Sequence, residues 1–225
     1  MKYFLLFAVL FCSITLFAQD RSKISVPPYE LAKIKGLVSK MEHDEEENLK
    51  LPAKSYNALS LREKFTYHMI HAESYSQNCD AMPPIENEHK KIFGNLPDAF
   101  GEYSWSERQQ DFLRGQRDSV MALIKESVLR SKRMGVNYKA AVVAMNSWEM
   151  IPFLISTYNT DKKDHDILTV LMLLMKQNEY KPFMTSTSFT KLYGEDADFR
   201  AYLDLNKANE DLILERAGNL YKSKK

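Results

Sequence analysis

The groups best able to do chemistry lie close together in the first half of the chain. His68 and His71 are three residues apart on a predicted helix, so both imidazoles can face one point. Glu73 follows at once, and Cys79 and His89 lie in the loop beyond. Because imidazole, thiolate and carboxylate are the usual zinc ligands, these residues could form a metal-dependent hydrolytic site.

A second interpretation of the same residues needs no metal. His68 lies on the apolar stripe of its helix, which is typical of a hydrogen-bonded core histidine, and the chain has no paired-ligand spacing or His-Glu-x-x-His pattern. Cys79 as a nucleophile would need His71 or His89 as its base, whereas a buried cysteine is inert. The sequence therefore favours neither a metal nor another cofactor. It leaves as candidate binding residues of this region Tyr67, His68, His71, Glu73, Cys79 and His89.

Aromatic and acidic residues elsewhere give weaker signals. Tyr103, Trp105 and Trp148 could line a binding groove, or they could simply pack in the core. The acidic stretch around Asp164 and Asp166 resembles a hydrolytic cluster, but it occupies a turn and a helix start, where the helix dipole favours acids. There is no Gly-rich phosphate loop and no Gly-x-Ser-x-Gly motif.

The N-terminal segment predicts export. Residues 1–18 carry one charge, Lys2, followed by an apolar run that ends at the small residue Ala18, as in a secretory signal peptide cleaved before Gln19. The run is too short to span a bilayer, so we expect a periplasmic or extracellular protein with no stable membrane span after cleavage.

Cleavage of that segment sets the charge and cysteine content of the mature chain. The 31 basic residues of the full sequence become 30 without Lys2, against 30 acidic ones, so the mature chain is formally neutral. Nucleic-acid binding draws on a concentrated basic face, so a nucleic-acid partner is not expected. Of the two cysteines only Cys79 remains, which excludes an intrachain disulfide.

Apolar periodicity predicts an all-α fold. Helical stripes recur along the chain, and Ser60-Leu61-Arg62-Glu63 and Ser104-Trp105-Ser106-Glu107 both have the form of a capping box. Residues 78–105 are rich in Pro and Gly and show no sustained period, which predicts a long packed loop. We therefore expect an N-terminal helical region over residues 19–115 and a second helical region over residues 116–225.

The second region repeats itself. Pro-Phe-Leu-Ile-Ser-Thr at 152–157 returns as Pro-Phe-Met-Thr-Ser-Thr at 182–187, and the same 30-residue frame aligns Met172 and Leu173 with Tyr202 and Leu203. A fixed period near 30 predicts stacked helix pairs, here about three over residues 116–205. The stretch from Ile167 to Met175 is apolar nearly all round, which predicts a helix covered on several sides.

The segment Ser147-Trp148-Glu149-Met150-Ile151-Pro152-Phe153-Leu154-Ile155, followed by a polar turn and an acidic helix start at Asp164, resembles the short HEAT-type repeat. The resemblance implies a short α-solenoid-like stack with an N-terminal helical cap. It also implies an interaction scaffold, because HEAT-type proteins mostly bind other proteins, and it carries no catalytic residues. The expected function is an exported protein-binding or scaffolding module; the alternative is a secreted hydrolase that uses the region from His68 to His89.

Overall fold

The computed structural model describes residues 23–77 and 84–225. The predicted signal peptide and Cys79 lie outside these ranges, so the predictions made for them stay predictions. The described part is mainly helical, with eleven α-helices. They are α1 Leu31–Val38, α2 Ala53–Asn57, α3 Leu61–Ile70, α4 Glu107–Gly115, α5 Arg117–Ser131, α6 Val136–Ala144, α7 Ile151–Thr160, α8 Asp166–Gln177, α9 Lys181–Met184, α10 Thr187–Tyr193 and α11 Lys207–Ser223.

Four short strands accompany the helices, and the fold is mainly α, consistent with the all-α expectation. They are β1 Ser74–Tyr75, β2 Lys91–Phe93, β3 Tyr103–Ser104 and β4 Tyr202–Asp204. β1 pairs antiparallel with β3, and β2 pairs antiparallel with β4. Residues 78–105, predicted to be a loop, thus contain β2 and β3, and their apolar members Ile92 and Phe93 are buried. No helix of the described ranges is long and apolar enough to cross a membrane.

Helix α8 lies at the centre of the fold, as its apolar sequence predicts. It packs against α6, α7, α9, α11 and β2. Nine of its twelve residues are buried, so it has almost no face left for solvent. The hydroxyl of the buried Thr169 in α8 donates to the carbonyl of Phe93 at 2.8 Å and thereby fixes β2 against the helix.

The three-unit stack of helix pairs is not confirmed. α7 and α9 both begin with a proline in the first turn, as the echo between Pro152 and Pro182 predicts, but α9 has only four residues. The last helix expected in the third unit is replaced by a strand, because Tyr202 and Leu203 lie in β4. So short an apolar stretch satisfies the period of a helix and of a strand equally, and pairing with β2 decides between them.

Helix starts follow the predicted capping chemistry at one site and differ from it at another. Ser60 and Glu63 form the expected box, with the Ser60 amide donating to the Glu63 carboxylate at 2.7 Å. The second capping box, at the start of α4, is formed by Ser106 and Gln109 and not by Ser104, because Ser104 belongs to β3. α4 ends at Gly115 and α5 starts at Arg117, so the helical run is interrupted between them.

The segment before α1 crosses the start of α6 in close contact. Ser25 accepts at its hydroxyl from the Gly135 amide at 2.7 Å, and its own amide donates to Asn137 at 2.9 Å. A Cβ at Gly135 would lie 2.1 Å from the Ser25 nitrogen, so this approach requires glycine. Asn137, in the first turn of α6, donates to the carbonyls of Ser25 and Met69 and links the first part of the chain to the second.

Truncating the centre of α8 should be severely destabilising. Leu171 and Leu174 are both fully buried, so Leu171→Ala or Leu174→Ala removes transfer energy and leaves a cavity, at a cost of roughly 2 to 5 kcal/mol. Lys163→Ala, in the exposed turn before α8, should change the free energy of unfolding by about 0.5 kcal/mol or less. Urea melts compare the three variants, and wild-type midpoints for both leucine variants would show that α8 is not central.

Candidate functional site

The Glu73 carboxylate is the centre of the predicted site, and it is fully buried. It accepts hydrogen bonds from the Tyr67 hydroxyl at 2.6 Å, the Ser106 hydroxyl at 2.5 Å and the Arg108 Nε at 2.8 Å. Burial raises its pKa, but the hydrogen bonds from Arg108, Ser106 and Tyr67 outweigh burial, so the pKa of Glu73 lies below its ordinary value. Both carboxylate oxygens are occupied, which leaves Glu73 a structural anion without a free oxygen for a substrate.

Arg108 supplies the positive charge that pairs with Glu73, and it also contacts Leu51 and Tyr56. Its Nη2 donates to the Leu51 carbonyl at 2.8 Å, and its guanidinium carbon lies 4.3 Å from the centre of the Tyr56 ring. Its neighbour Gln109 donates to the His71 carbonyl and accepts from the Glu73 amide, both at 3.0 Å. The start of α4 is thereby fixed to the chain that follows α3.

His68 is fully buried and held in a neutral form. Its Nε2 lies 3.2 Å from the Tyr56 hydroxyl, and its ring meets Phe112 edge-on with centroids 4.6 Å apart. Burial, with smaller contributions from nearby cations, lowers the pKa of His68 to about 3. Its Nδ1 finds no hydrogen-bond partner within the described ranges.

His71 has a different partner and a different role. Its Nε2 donates to the Leu49 carbonyl at 2.7 Å, and burial lowers its pKa against the opposing effects of Leu49 and Glu73. The two imidazoles thus serve separate contacts. In the part of the chain that the structure describes, no group of three His, Cys, Asp or Glu side chains is placed to hold a metal ion.

The structure brings together five of the candidates predicted from sequence and separates the others. Tyr67, His68, His71 and Glu73 share the network, and Trp105 joins it by donating to the His68 carbonyl at 2.7 Å. The remaining described candidates lie elsewhere: His89 is exposed on the 3-10 turn Glu88–Lys90, Tyr103 packs against Tyr75, and Trp148 packs against Tyr221.

A second buried ionic centre was not anticipated as a cluster. Lys139 of α6 is 2% exposed and pairs with Asp164, which is 5% exposed; its Nζ also lies 3.6 Å from Asp166 Oδ2. The acidic pair at the start of α8 therefore neutralises a buried lysine in addition to facing a helix N-terminus. The signal available in the sequence was a lysine placed among the apolar residues Tyr138, Ala141 and Val142.

One open groove lies between α5 and α7, with a volume of about 230 Å³. Its floor is apolar, and Leu129 on its rim is 60% exposed. The groove differs from the Glu73 network because side chains on its rim remain accessible. Its lining residues are Val128, Leu129, Lys132, Arg133, Met134, Phe153, Ser156, Thr157, Thr160, Asp161, Asp164 and Ile167.

Removing the counter-charge of Glu73 should destabilise the protein. Arg108→Ala leaves a buried carboxylate without its cation, at a cost of about 3 kcal/mol, the lower end of the usual range because the Arg108 side chain is 29% exposed. Arg114→Ala, which removes an exposed arginine of the same helix, is the matched control with an expected change of about 0.5 kcal/mol or less. Equal unfolding midpoints in urea for the two variants would contradict the structural role of Glu73.

His68 should make stability fall in acid. A histidine whose folded-state pKa is depressed stabilises the fold fully above its unfolded value of about 6.5, and the contribution declines by about 1.4 kcal/mol per pH unit below it, towards its folded pKa of about 3. His68→Gln should flatten the dependence of unfolding free energy on pH between about 6 and 4.5. His89→Gln, at an exposed site, should keep the wild-type slope; the same slope in all three proteins would refute the assignment.

Comparison with known proteins finds no match for this chain among family models, curated proteins or solved structures. The likeness to HEAT-type repeats therefore rests on the sequence pattern of residues 116–205.

Proposed function

We propose that this protein is an exported protein-binding module and that the groove between α5 and α7 is its binding surface. The observation that carries the proposal is the apolar groove with Leu129 exposed at its rim. An apolar surface bordered by polar residues is typical of a site of protein interaction. Arg133 and Met134 line the groove directly after α5, so the fixed end of that helix positions the surface.

The predicted site supports binding over catalysis because its titratable groups already have protein partners. Glu73 is saturated by three side chains, His68 is buried and neutral, and His71 donates to a backbone carbonyl. A hydrolase built on these residues would need an accessible base beside a reacting bond. The network instead serves to hold α3 and α4 together beneath the surface.

Export and scaffolding rest on the sequence. The apolar run that ends at Ala18 favours a periplasmic or extracellular location, and the neutral mature chain makes a protein a better partner than a nucleic acid. α7 and the central α8 form the adjacent helix pair that carries the HEAT-like motif. A surface presented by such a pair suits a scaffold, and its occupant would be a segment of a partner protein.

A charge placed on the groove rim should abolish partner capture. The chain from Gln19, immobilised and exposed to the envelope and extracellular fractions of its source cells, should retain a protein that Leu129→Glu no longer retains. Phe199→Glu is the matched control, because Phe199 is as exposed, at 63%, but does not line the groove. A carboxylate desolvated against an apolar floor is costly, so we expect at least about a tenfold loss of capture for Leu129→Glu alone. Equal capture by both variants would show that the groove is not the binding surface.

A further inference from the structure

The two sides of the groove carry opposite charges. The α5 side presents Lys132, which is exposed, and Arg133, whose guanidinium donates to the backbone carbonyls of Lys23 at 2.6 Å and Ile24 at 3.0 Å. No carboxylate of residues 23–77 or 84–225 forms an ion pair with either cation. Among the described residues, therefore, the positive charge on this side of the groove is not neutralised by a carboxylate.

The opposite side, formed by α7 and the turn after it, offers acceptors. The hydroxyls of Thr157 and Thr160 donate within α7, to the carbonyls of Phe153 at 2.8 Å and Ser156 at 3.0 Å, so their lone pairs are left to face outward. Asp161 is exposed beside them. A ligand on this side is favoured if it brings donors or a positive charge.

Asp164 also lines that side of the groove, and it is buried. It shares the buried Lys139 with Asp166. Burial is the largest cause of the raised pKa of Asp164; Lys139 lowers this pKa, and Asp166 and Asp161 raise it further. A positive charge on a ligand would be placed favourably beside the exposed Asp161 on this side.

We propose that the groove binds an extended segment of the partner protein in which one apolar side chain is flanked by a basic and an acidic residue. The apolar side chain would lie against Leu129 and Phe153, the apolar lining residues that solvent reaches, the basic residue would face Asp161, and the acidic residue would face Lys132. This inference rests on the proposed function and specifies the chemistry of the bound segment.

Charge complementarity selects this occupant over others. An amphiphile with a single carboxylate would use Lys132 and Arg133 but leave the acidic side unpaired, and a polyanion would be repelled by Asp161 and Asp164. The volume of about 230 Å³ lies below the roughly 300 to 1,000 Å³ of drug-sized ligand sites, so it accommodates one side chain with its neighbours at the rims.

Three blocked pentapeptides test the inference by NMR titration of the full mature chain: Gly-Lys-Leu-Glu-Gly, Gly-Lys-Leu-Lys-Gly and Gly-Glu-Leu-Glu-Gly. The wild type should bind the mixed-charge peptide about threefold more tightly than either other, the ratio expected for one partly exposed ion pair. Lys132→Glu should transfer the preference to the Lys-Leu-Lys peptide, and Asp161→Lys to the Glu-Leu-Glu peptide. Lys35→Glu, on the exposed face of α1, should keep the wild-type order.

An unchanged order in both groove variants, or no binding of any peptide, would overturn the inference. Octanoate that displaces the mixed-charge peptide equally well from wild type and Asp161→Lys would also overturn the inference, because it would identify an amphiphile as the ligand. A dimer in sedimentation that Leu129→Glu dissociates would overturn it as well, because it would identify a second copy of the chain as the occupant. If the peptides fail to show the expected preferences but Leu129→Glu still abolishes partner capture, the proposed function stands and only the inferred segment is wrong. If partner capture survives Leu129→Glu, the proposed function itself is wrong.

Discussion

The buried carboxylate of Glu73 is the constraint on which the first part of the chain depends. An ionised group with no exposure to water must have its charge and its lone pairs satisfied by the protein, and here Tyr67, Ser106 and Arg108 do so. Each donor comes from a different position along α3 or around the start of α4. The position of α4 relative to α3 is therefore set by an electrostatic requirement, and hydrophobic contacts such as that of Phe112 with His68 fill the space around it.

The second part of the chain is organised on the same principle around a different charge. Lys139 of α6 is buried against the start of α8, where Asp164 and Asp166 pair with it. α8 itself is apolar on nearly all sides and packs against neighbours in every direction. The hydrophobic core supplies most of the stabilisation, while the ion pairs fix which helix start faces which helix, because a shifted arrangement would leave a charge buried alone. Asp164 also borders the groove, so the same centre contributes to the electrostatics of the proposed binding surface.

Local signals in the sequence were sufficient where the deciding contacts are local. The apolar α8 and the cap at Ser60 follow from residues within a turn or two of each other, and the structure contains both. His68 and His71 were placed correctly near Glu73, but a zinc-like interpretation and a core interpretation use the same residue types. Arg108 lies 35 residues from Glu73, and β4 pairs with a strand more than 100 residues earlier. Such long-range pairings leave no periodicity in the sequence. For this reason the segment that forms β4 was predicted to be helical, and the ion pairs of Lys139 with Asp164 and Asp166 were not predicted.

Amide hydrogen exchange of the wild-type protein tests most directly whether the Glu73 network is a closed structural centre. The amides of Leu49, Glu73 and Ser106 donate to Glu73 O or to Gln109 Oε1 across the joined segments, outside any helix. If the network is closed, these three amides should exchange only through global unfolding, at the same free energy as the amide of Leu171 in the core of α8. Exchange of the three amides through a local opening, several kcal/mol easier than that of Leu171, would contradict the account, because a network that opens alone leaves His68, His71 and Glu73 accessible for chemistry.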